Sequence, residues 1–510
     1  MAGMGEAGEA QERDPQRLLE GLDEQQRLAA QSVDGAVRII AVAGAGKTRT
    51  ITRRIAYGCA SGAWDSQRVL AVTFSVKAAQ EMRNRLSALN VPNSVTAATF
   101  HSAALHQLRD VWPEISDTPL PWVADNTADI VASALKRLTN DSEPDPMVVR
   151  ELEAEINWCK VGLIAPDDYA RVASALHRQL RGPFDAKRFA ELYELYEVEK
   201  TNRGQIDFND ILLIACHVME DYPQAARMIR HDVGWLTVDE YQDVSPLQHR
   251  LMTLWLGDNN RNVCVVGDPA QTIYSFAGAS SYYLQQFANE FGPLDADIEL
   301  ATDYRSNPPI IRCANGVLKR APDPKQYLRL HAVREGSARV SKTAYETDDD
   351  EAQRIASLIR RQVDRGSSPN DFAILTRINA QQPKLMKALH QQGLGTVVHS
   401  DGGWQYTSLS QRDLEHMHEE QRAKLQQVTQ GAVTISTIHA AKGLEYPHVF
   451  LIGCSEGLLP YGQNNTSEAI EEERRLLYVG VTRAEDSLHL SYARRKDDSS
   501  HQTRMPSRFL

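Results

Sequence analysis

Ala41-Val42-Ala43-Gly44-Ala45-Gly46-Lys47-Thr48 is the stretch whose reading decides the fold. Before it, Val37 to Val42 is a short apolar run rich in β-branched residues, the pattern of a strand buried in a parallel sheet. After it, Arg49 to Cys59 has helical spacing, with Ile51 and Ile55 on one face. The glycines therefore lie between a strand and a helix. Gly44 and Gly46 let the backbone curl so that successive N–H groups point inward, and the helix N-terminus adds its positive end. Lys47 supplies a point charge for β- and γ-phosphates, and the Thr48 hydroxyl suits Mg²⁺. The generic phosphate-loop pattern begins with Gly, whereas position 41 is Ala.

Working outward, the 510 residues are enough for more than one domain. The chain is 42% hydrophobic and 24% charged, and no apolar run approaches membrane-spanning length, so no membrane partner is expected. Residues 1–20 read as a disordered tail rather than a secretory signal, because they are rich in Ala, Gly and Glu and have no apolar core. The six cysteines are scattered, with no Cys-x-x-Cys, which argues against a zinc site or a disulfide framework and fits a cytoplasmic location. A net charge of −11 gives no hint of nucleic acid but leaves room for a locally basic groove.

The strand–helix rhythm continues at Arg68–Phe74, Lys77–Leu89 and Val95–Phe100, then stops. Residues 104–205 have helical periodicity and scattered Trp and Tyr, and read as a helical insertion. The rhythm returns at Trp235–Asp239 and Asn262–Gly267. A second α/β series follows, with strands at Phe372–Thr376, Val433–Thr437, His448–Gly453 and Ser487–Tyr492. Residues 383–431 are polar, too long for a typical loop and too poor in apolar residues for a core of their own.

Asp239 and Glu240 follow an apolar strand, where one carboxylate can hold Mg²⁺ and the other can orient and deprotonate water. Gln271 lies just past another strand, placed either to report a γ-phosphate or simply to fill a loop. Arg305 and Arg483 are candidates for the extra cations that a phosphoryl-transfer transition state requires, or for ordinary ion-paired residues. Thr73-Phe74, Thr99-Phe100-His101 and Tyr274-Ser275-Phe276 place aromatics and hydroxyls just past strands. That pattern suits base stacking on a single strand, and equally suits core packing at strand ends.

Taken together and in order, these stretches resemble the UvrD/Rep/PcrA family of superfamily-one DNA helicases. That family's phosphate loop starts with Ala, as Ala41 does. Leu22 to Ala30, Thr73 to Met82, Thr99 to Ser102, Asp239 to Asp243, Val266 to Tyr274, Tyr304 to Ser306, Thr437 to Glu445 and Tyr478 to Ala484 match its motifs. The resemblance implies an α/β protein of two RecA-like P-loop motor domains, 21–103 with 206–300 and 301–382 with 432–510. The helical insertion 104–205 then sits in the first motor and a reduced second insertion, 383–431, in the second. It implies ATP and Mg²⁺, with Ala43, Gly44, Ala45, Gly46, Lys47, Thr48 and Arg49 around the phosphates and Thr48 and Asp239 on the metal. Glu240 is then the general base, Gln271 the γ-phosphate sensor, and Arg305 and Arg483 the arginine fingers. Gln26 reads the adenine, Tyr304 stacks on it, and Glu445 meets the ribose. Thr73, Phe74, Thr99, Phe100, His101, Phe276, Arg377 and His439 are the DNA-side candidates.

The activity implied is an ATP-dependent translocase and helicase, 3′ to 5′, on single-stranded and 3′-tailed duplex DNA, in repair or replication. The alternative is a non-autonomous motor subunit acting with a nuclease or repair-protein partner in repair or phage defence. Three departures stand out. Phe276-Ala277 replaces the family's Trp-Arg, the second insertion is short, and Tyr492 to Gln502 carries no wedge aromatic.

Overall fold

Two six-stranded sheets, parallel throughout, frame the molecule. The computed structural model describes residues 14–139, 143–176, 178, 184–337, 339–399, 431–462, 466–500 and 502–510. Across the first sheet the strands run in the order Thr96–Thr99, Val69–Thr73, Trp235–Val238, Val263–Gly267, Ala36–Ala41 and Ala296–Leu300. Across the second the order is Arg339–Thr347, Ala484–Arg495, Tyr446–Leu451, Phe372–Thr376, Ala432–Thr437 and Gly395–His399. Helices cover both faces, so the central strands Val69–Thr73, Val263–Gly267 and Phe372–Thr376 are buried at every position. The two sheets define two RecA-like motor domains.

One apolar core joins the motors. It runs from Ile39 and Ile51 beneath the glycine loop to Leu451, Leu477 and Tyr478 of the second motor. A second core, around Phe100, Leu108, Leu236 and Trp255, fills the other face of the first sheet. A third lies within the helical insertion, around Ile130, Leu152, Phe189 and Tyr196. The outer face of the second sheet has its own core, with Ile355, Phe372 and Leu385.

Tertiary packing moves three expected boundaries. Residues 104–111 belong to the first motor, not the insertion. They continue a helix, Phe100–Val111, capped by the Thr99 hydroxyl, which accepts from Ser102 N–H at 3.2 Å. Ala104, Leu108 and Val111 of that helix are buried in the first motor's second core. Residues 383–399 belong to the second motor. Helix Gln382–Gln391 buries Leu385 and Leu389 against its sheet, and Gly395–His399 adds a strand beside Ala432–Thr437. Of the expected second insertion, 400–430 lie outside the described residues. Part of the expected tail is also packed: Pro15–Leu19 is a 3₁₀ turn, and Leu19 is buried against Leu22 and Ala30. Residues 1–13 lie outside the described residues.

The insertion is fastened to the first motor by buried charge. Lys160 Nζ lies 2.5 Å from carboxylate oxygens of both Asp207 and Asp210. Lys200 Nζ is 2.9 Å from Asp207, and the Tyr196 hydroxyl donates to the same oxygen at 2.9 Å. Buried pairs of this kind add little net stability but penalise any other arrangement strongly, because separation leaves a charge unpaired.

Candidate nucleotide and nucleic-acid site

The strand Ala36–Ala41 delivers the chain to the glycine loop, and helix Lys47–Ala60 leaves it. Gly44 and Gly46 have φ of +74° and +75°, in the left-handed region. A Cβ at Gly44 would lie 2.6 Å from the Asp303 carboxyl carbon, so only glycine fits there. Ala43 and Ala45 are buried and Arg49 is exposed, its guanidinium donating to Gly21 O at 2.8 Å. Gln26 is buried and donates to Ala45 O at 2.9 Å, and its own backbone N–H is accepted by Asp23 Oδ1 at 2.7 Å. Tyr304 N–H donates to Gly44 O at 3.0 Å, its ring is 41% exposed, and its hydroxyl meets Asp23. Gln26 and Tyr304 therefore both meet the loop carbonyls and share Asp23.

Lys47 Nζ meets Glu240 Oε1 at 2.9 Å. Glu240 has φ of +52°, a conformation that a non-glycine residue adopts only when its surroundings hold it there. Asp239 Oδ1 accepts the Glu240 N–H at 2.9 Å, and Gln242 donates to the other Glu240 oxygen. Burial, reinforced by the Glu240 charge, pushes the Asp239 carboxyl up to about 7. Burial pushes Glu240 the same way, but Lys47 and Lys442 outweigh it and hold the carboxyl down at about 2. Burial would lower Lys47, yet Glu240, Asp239 and Asp268 together raise it. The site carries more carboxylate than ammonium. The Thr48 hydroxyl and the Asp239 carboxylate are hard oxygen donors of the kind Mg²⁺ selects.

The remaining nucleotide candidates come from both motors, Gln271 from the first and Arg305 and Arg483 from the second. Gln271 donates to Asp268 Oδ2 at 2.8 Å, and Asp268 also meets the Tyr478 hydroxyl at 3.3 Å. Arg305 pairs with Glu445 at 2.5 Å and donates to Thr482 O at 3.3 Å. Arg483 is buried and donates to Leu444 O at 3.0 Å and Val479 O at 3.1 Å. Burial and the neighbouring Arg305 lower Arg483 to about 10, which still leaves it charged at neutral pH. Lys442, to which sequence reasoning gave no role, crosses between motors to Asp243 and donates to Gln271 O at 2.8 Å. Asp303 was also missed. It accepts from the Arg305 and Ser306 N–H groups at 2.7 Å and lies against Gly44.

Several DNA-side expectations change. Phe100 is 1% exposed and stacks on Trp255 at 5.7 Å, with Phe74 edge-on at 6.2 Å, so Phe100 cannot also stack on a base. Phe74 is only partly buried. His101 is buried and stacked on Phe208 at 3.9 Å; burial drives its imidazole down to about 3, which keeps it neutral rather than a cation for phosphate. Thr99 is committed as a helix cap, and Thr73 is buried. Phe276 lies in the turn Ser275–Ala277, and its side chain is outside the described residues. His439 is partly buried beside Tyr274, whose hydroxyl donates to His439 O at 3.2 Å, and burial with nearby Arg377 and Lys442 lowers it to about 3. Arg377 pairs with Glu473 at 2.6 Å and lies 5.0 Å over the Tyr461 ring, itself 47% exposed. Sequence reasoning gave Tyr461 no role; its exposed ring follows Leu459-Pro460.

A phosphate loop in one RecA-like domain, with two arginines brought to it alongside the second, defines a two-domain P-loop motor. Family models narrow the class. The UvrD/REP helicase N-terminal domain model matches residues 22–292, and the UvrD-like helicase C-terminal domain model matches 298–405 and 405–495. The chain belongs to the UvrD/REP helicase family. The ATP-dependent DNA helicase UvrD2 of Mycobacterium tuberculosis (strain ATCC 25618 / H37Rv) is 37% identical over 97% of this chain and 81% of its own length. The ATP-dependent DNA helicase PcrA of Bacillus subtilis (strain 168) is 26% identical over 94% of this chain and 83% of its own. The UvrD2 alignment runs over 582 positions against 510 residues here, so that relative carries residues with no counterpart in this chain.

Proposed function

We propose that this chain is an ATP-dependent DNA helicase that moves 3′ to 5′ along single-stranded DNA in repair or replication, in the cytoplasm. The observation that carries the reading is the Lys47–Glu240 contact at 2.9 Å, with Arg305 and Arg483 gathered beside it by the segment that holds Leu444 and Glu445. Mg²⁺, held by Thr48 and Asp239, would offset charge on the phosphates. Lys47 holds the β- and γ-phosphates, Glu240 takes the proton of the attacking water, and Gln271 positions that water. Arg305 and Arg483 stabilise the charge that develops as the bond to the leaving phosphate breaks. Gln26, Tyr304 and Glu445 orient the nucleoside, and Ala43, Ala45 and Arg49 complete its surroundings. On the strand side, Phe74, Tyr461, Arg377 and the turn carrying Phe276 are the candidates that support contact.

Motor-to-motor contacts support coupling between the two sites. Arg475 donates to Thr272 O at 2.7 Å and Lys442 to Gln271 O at 2.8 Å. Closure of the cleft on ATP would therefore be felt by the strand-side turn. Strand separation also needs a rigid obstacle, because each base-pair step broken costs about 1.4 kcal/mol on average. The turn after strand Ala484–Arg495 presents Asp497, Asp498 and Ser499 instead of an aromatic. The test compares ATP-driven streptavidin displacement from 3′- and 5′-biotinylated single strands with unwinding of a 3′-tailed duplex. Displacement confined to a 5′-biotinylated strand, with slow unwinding, is expected. Absence of DNA-stimulated ATP hydrolysis would overturn the reading.

A further inference from the structure

Helix Ser467–Val481 carries three consecutive glutamates, and only the first has an ordinary structural task. Glu471 accepts from the Tyr327 hydroxyl and from Arg474, both at 2.9 Å, within a buried cluster. Glu472 accepts the backbone N–H of Ser275 at 3.0 Å, reaching across to the first motor at the turn that bears Phe276. Glu473 takes Arg377 Nη2 at 2.6 Å and Nε at 3.1 Å, and its second oxygen accepts Tyr461 N–H at 3.1 Å. A guanidinium fork fits a carboxylate and a phosphate equally well. Backbone N–H groups are likewise regular phosphate donors. So the two neighbouring carboxylates occupy two anion-binding groups, next to the exposed Tyr461 ring and the Ser275–Ala277 turn.

We propose that Glu472 and Glu473 stand in for DNA phosphates, holding Ser275 N–H and the Arg377 guanidinium until an incoming single strand displaces them. The proposal rests on the single-strand-binding reading above. The exchange conserves charge pairing at Arg377: one anion leaves as another arrives. A strand that seats a phosphate on Arg377 must first break the Glu473 pair, so the carboxylate lowers affinity for a seated strand, whereas a strand that does not reach Arg377 leaves the pair intact. It also acts on the nucleotide site, because the same helix carries Tyr478, which meets Asp268, and runs directly into Arg483.

The test is fluorescence anisotropy of a labelled oligothymidylate with the full chain, for Glu473→Gln, Arg377→Ala and the double variant. The amide keeps an acceptor for Tyr461 N–H, so the local fold is retained. Glu473→Gln should tighten binding about tenfold when Arg377 is present and by less than about twofold when it is not. Glu473→Asp keeps the charge but shortens the reach, and should also tighten binding. Glu472→Ala should add a further twofold to threefold, roughly, by freeing Ser275 N–H. Equal tightening in the Arg377→Ala background would reduce the effect to diffuse charge and overturn the proposal. Unchanged or weaker binding by both Glu473 variants would also overturn it. A wild-type chain that does not bind the oligonucleotide would instead sink the single-strand reading on which it rests.

Discussion

Glu240→Gln should pull nucleotide binding and turnover in opposite directions. The carboxylate that would activate water holds the lysine that would meet the phosphates, at 2.9 Å. At that separation two unit charges attract by about 6 kcal/mol with an effective dielectric of about 20. Desolvation offsets most of this, since the side chains are only 12% and 27% exposed. A net coupling of about 1–3 kcal/mol remains. Nucleotide must break the pair to reach Lys47, so the amide should tighten ADP binding about tenfold. The same amide cannot take a proton, so kcat should fall by about 10²–10⁴. Calorimetric titration with ADP reads the first effect, and phosphate release at saturating single-stranded DNA reads the second. Unchanged ADP affinity would refute the argument that Glu240 competes for Lys47, and wild-type turnover would refute its role as base.

Three further outcomes follow from packing and burial. Phe100→Ala should destabilise the first motor by about 3–5 kcal/mol in chemical unfolding while leaving single-strand affinity intact; weaker binding at an unchanged midpoint would return Phe100 to the DNA face. Burial raises the Glu351 carboxyl from 4.5 to about 7, so the folded protein binds more protons than the unfolded chain in that window and stability falls as pH rises through it. Glu351→Gln keeps the acceptor for Ser491 and Gly453 and should raise Tm at pH 8 but hardly at pH 5; equal shifts at both would contradict the assignment. Lys160→Met leaves Asp207 and Asp210 with Lys200 alone and should cost the insertion about 3–5 kcal/mol, read as faster cleavage within residues 112–204 by limited proteolysis at unchanged ADP affinity. Wild-type protease resistance would argue that the charge cluster is not what fastens the insertion.

Much of the nucleotide site was legible because its signals are local. Gly44 and Gly46 need left-handed φ, and glycine is the residue that takes it cheaply. Apolar runs such as Phe372–Thr376 announced buried strands to the residue. Edge strands were harder. Arg339–Thr347 has alternating exposure and a polar composition, so no apolar run marked it. Gly395–His399 escaped because its polar surroundings masked a short strand that becomes one only by pairing with Ala432–Thr437. The aromatics past strands were ambiguous in sequence for a physical reason. Phe74 and Phe100 have the same local context, and only the placement of Trp255 makes Phe100 core.

The sequence by itself determined the strand–glycine–helix unit at 36–60, the carboxylate pair at the end of a strand and the doubled α/β rhythm. Each depends on residues within about one turn or one strand of each other, where backbone preference and apolar period act directly. The tertiary structure decided which charges meet. Lys47 and Glu240 are 193 residues apart, and Lys442 and Asp243 are 199 apart. Burial and the adjacent Glu240 charge raise Asp239, while Lys47 and, from the second motor, Lys442 hold Glu240 down against burial. That is a property of contacts between distant segments, which no local pattern encodes.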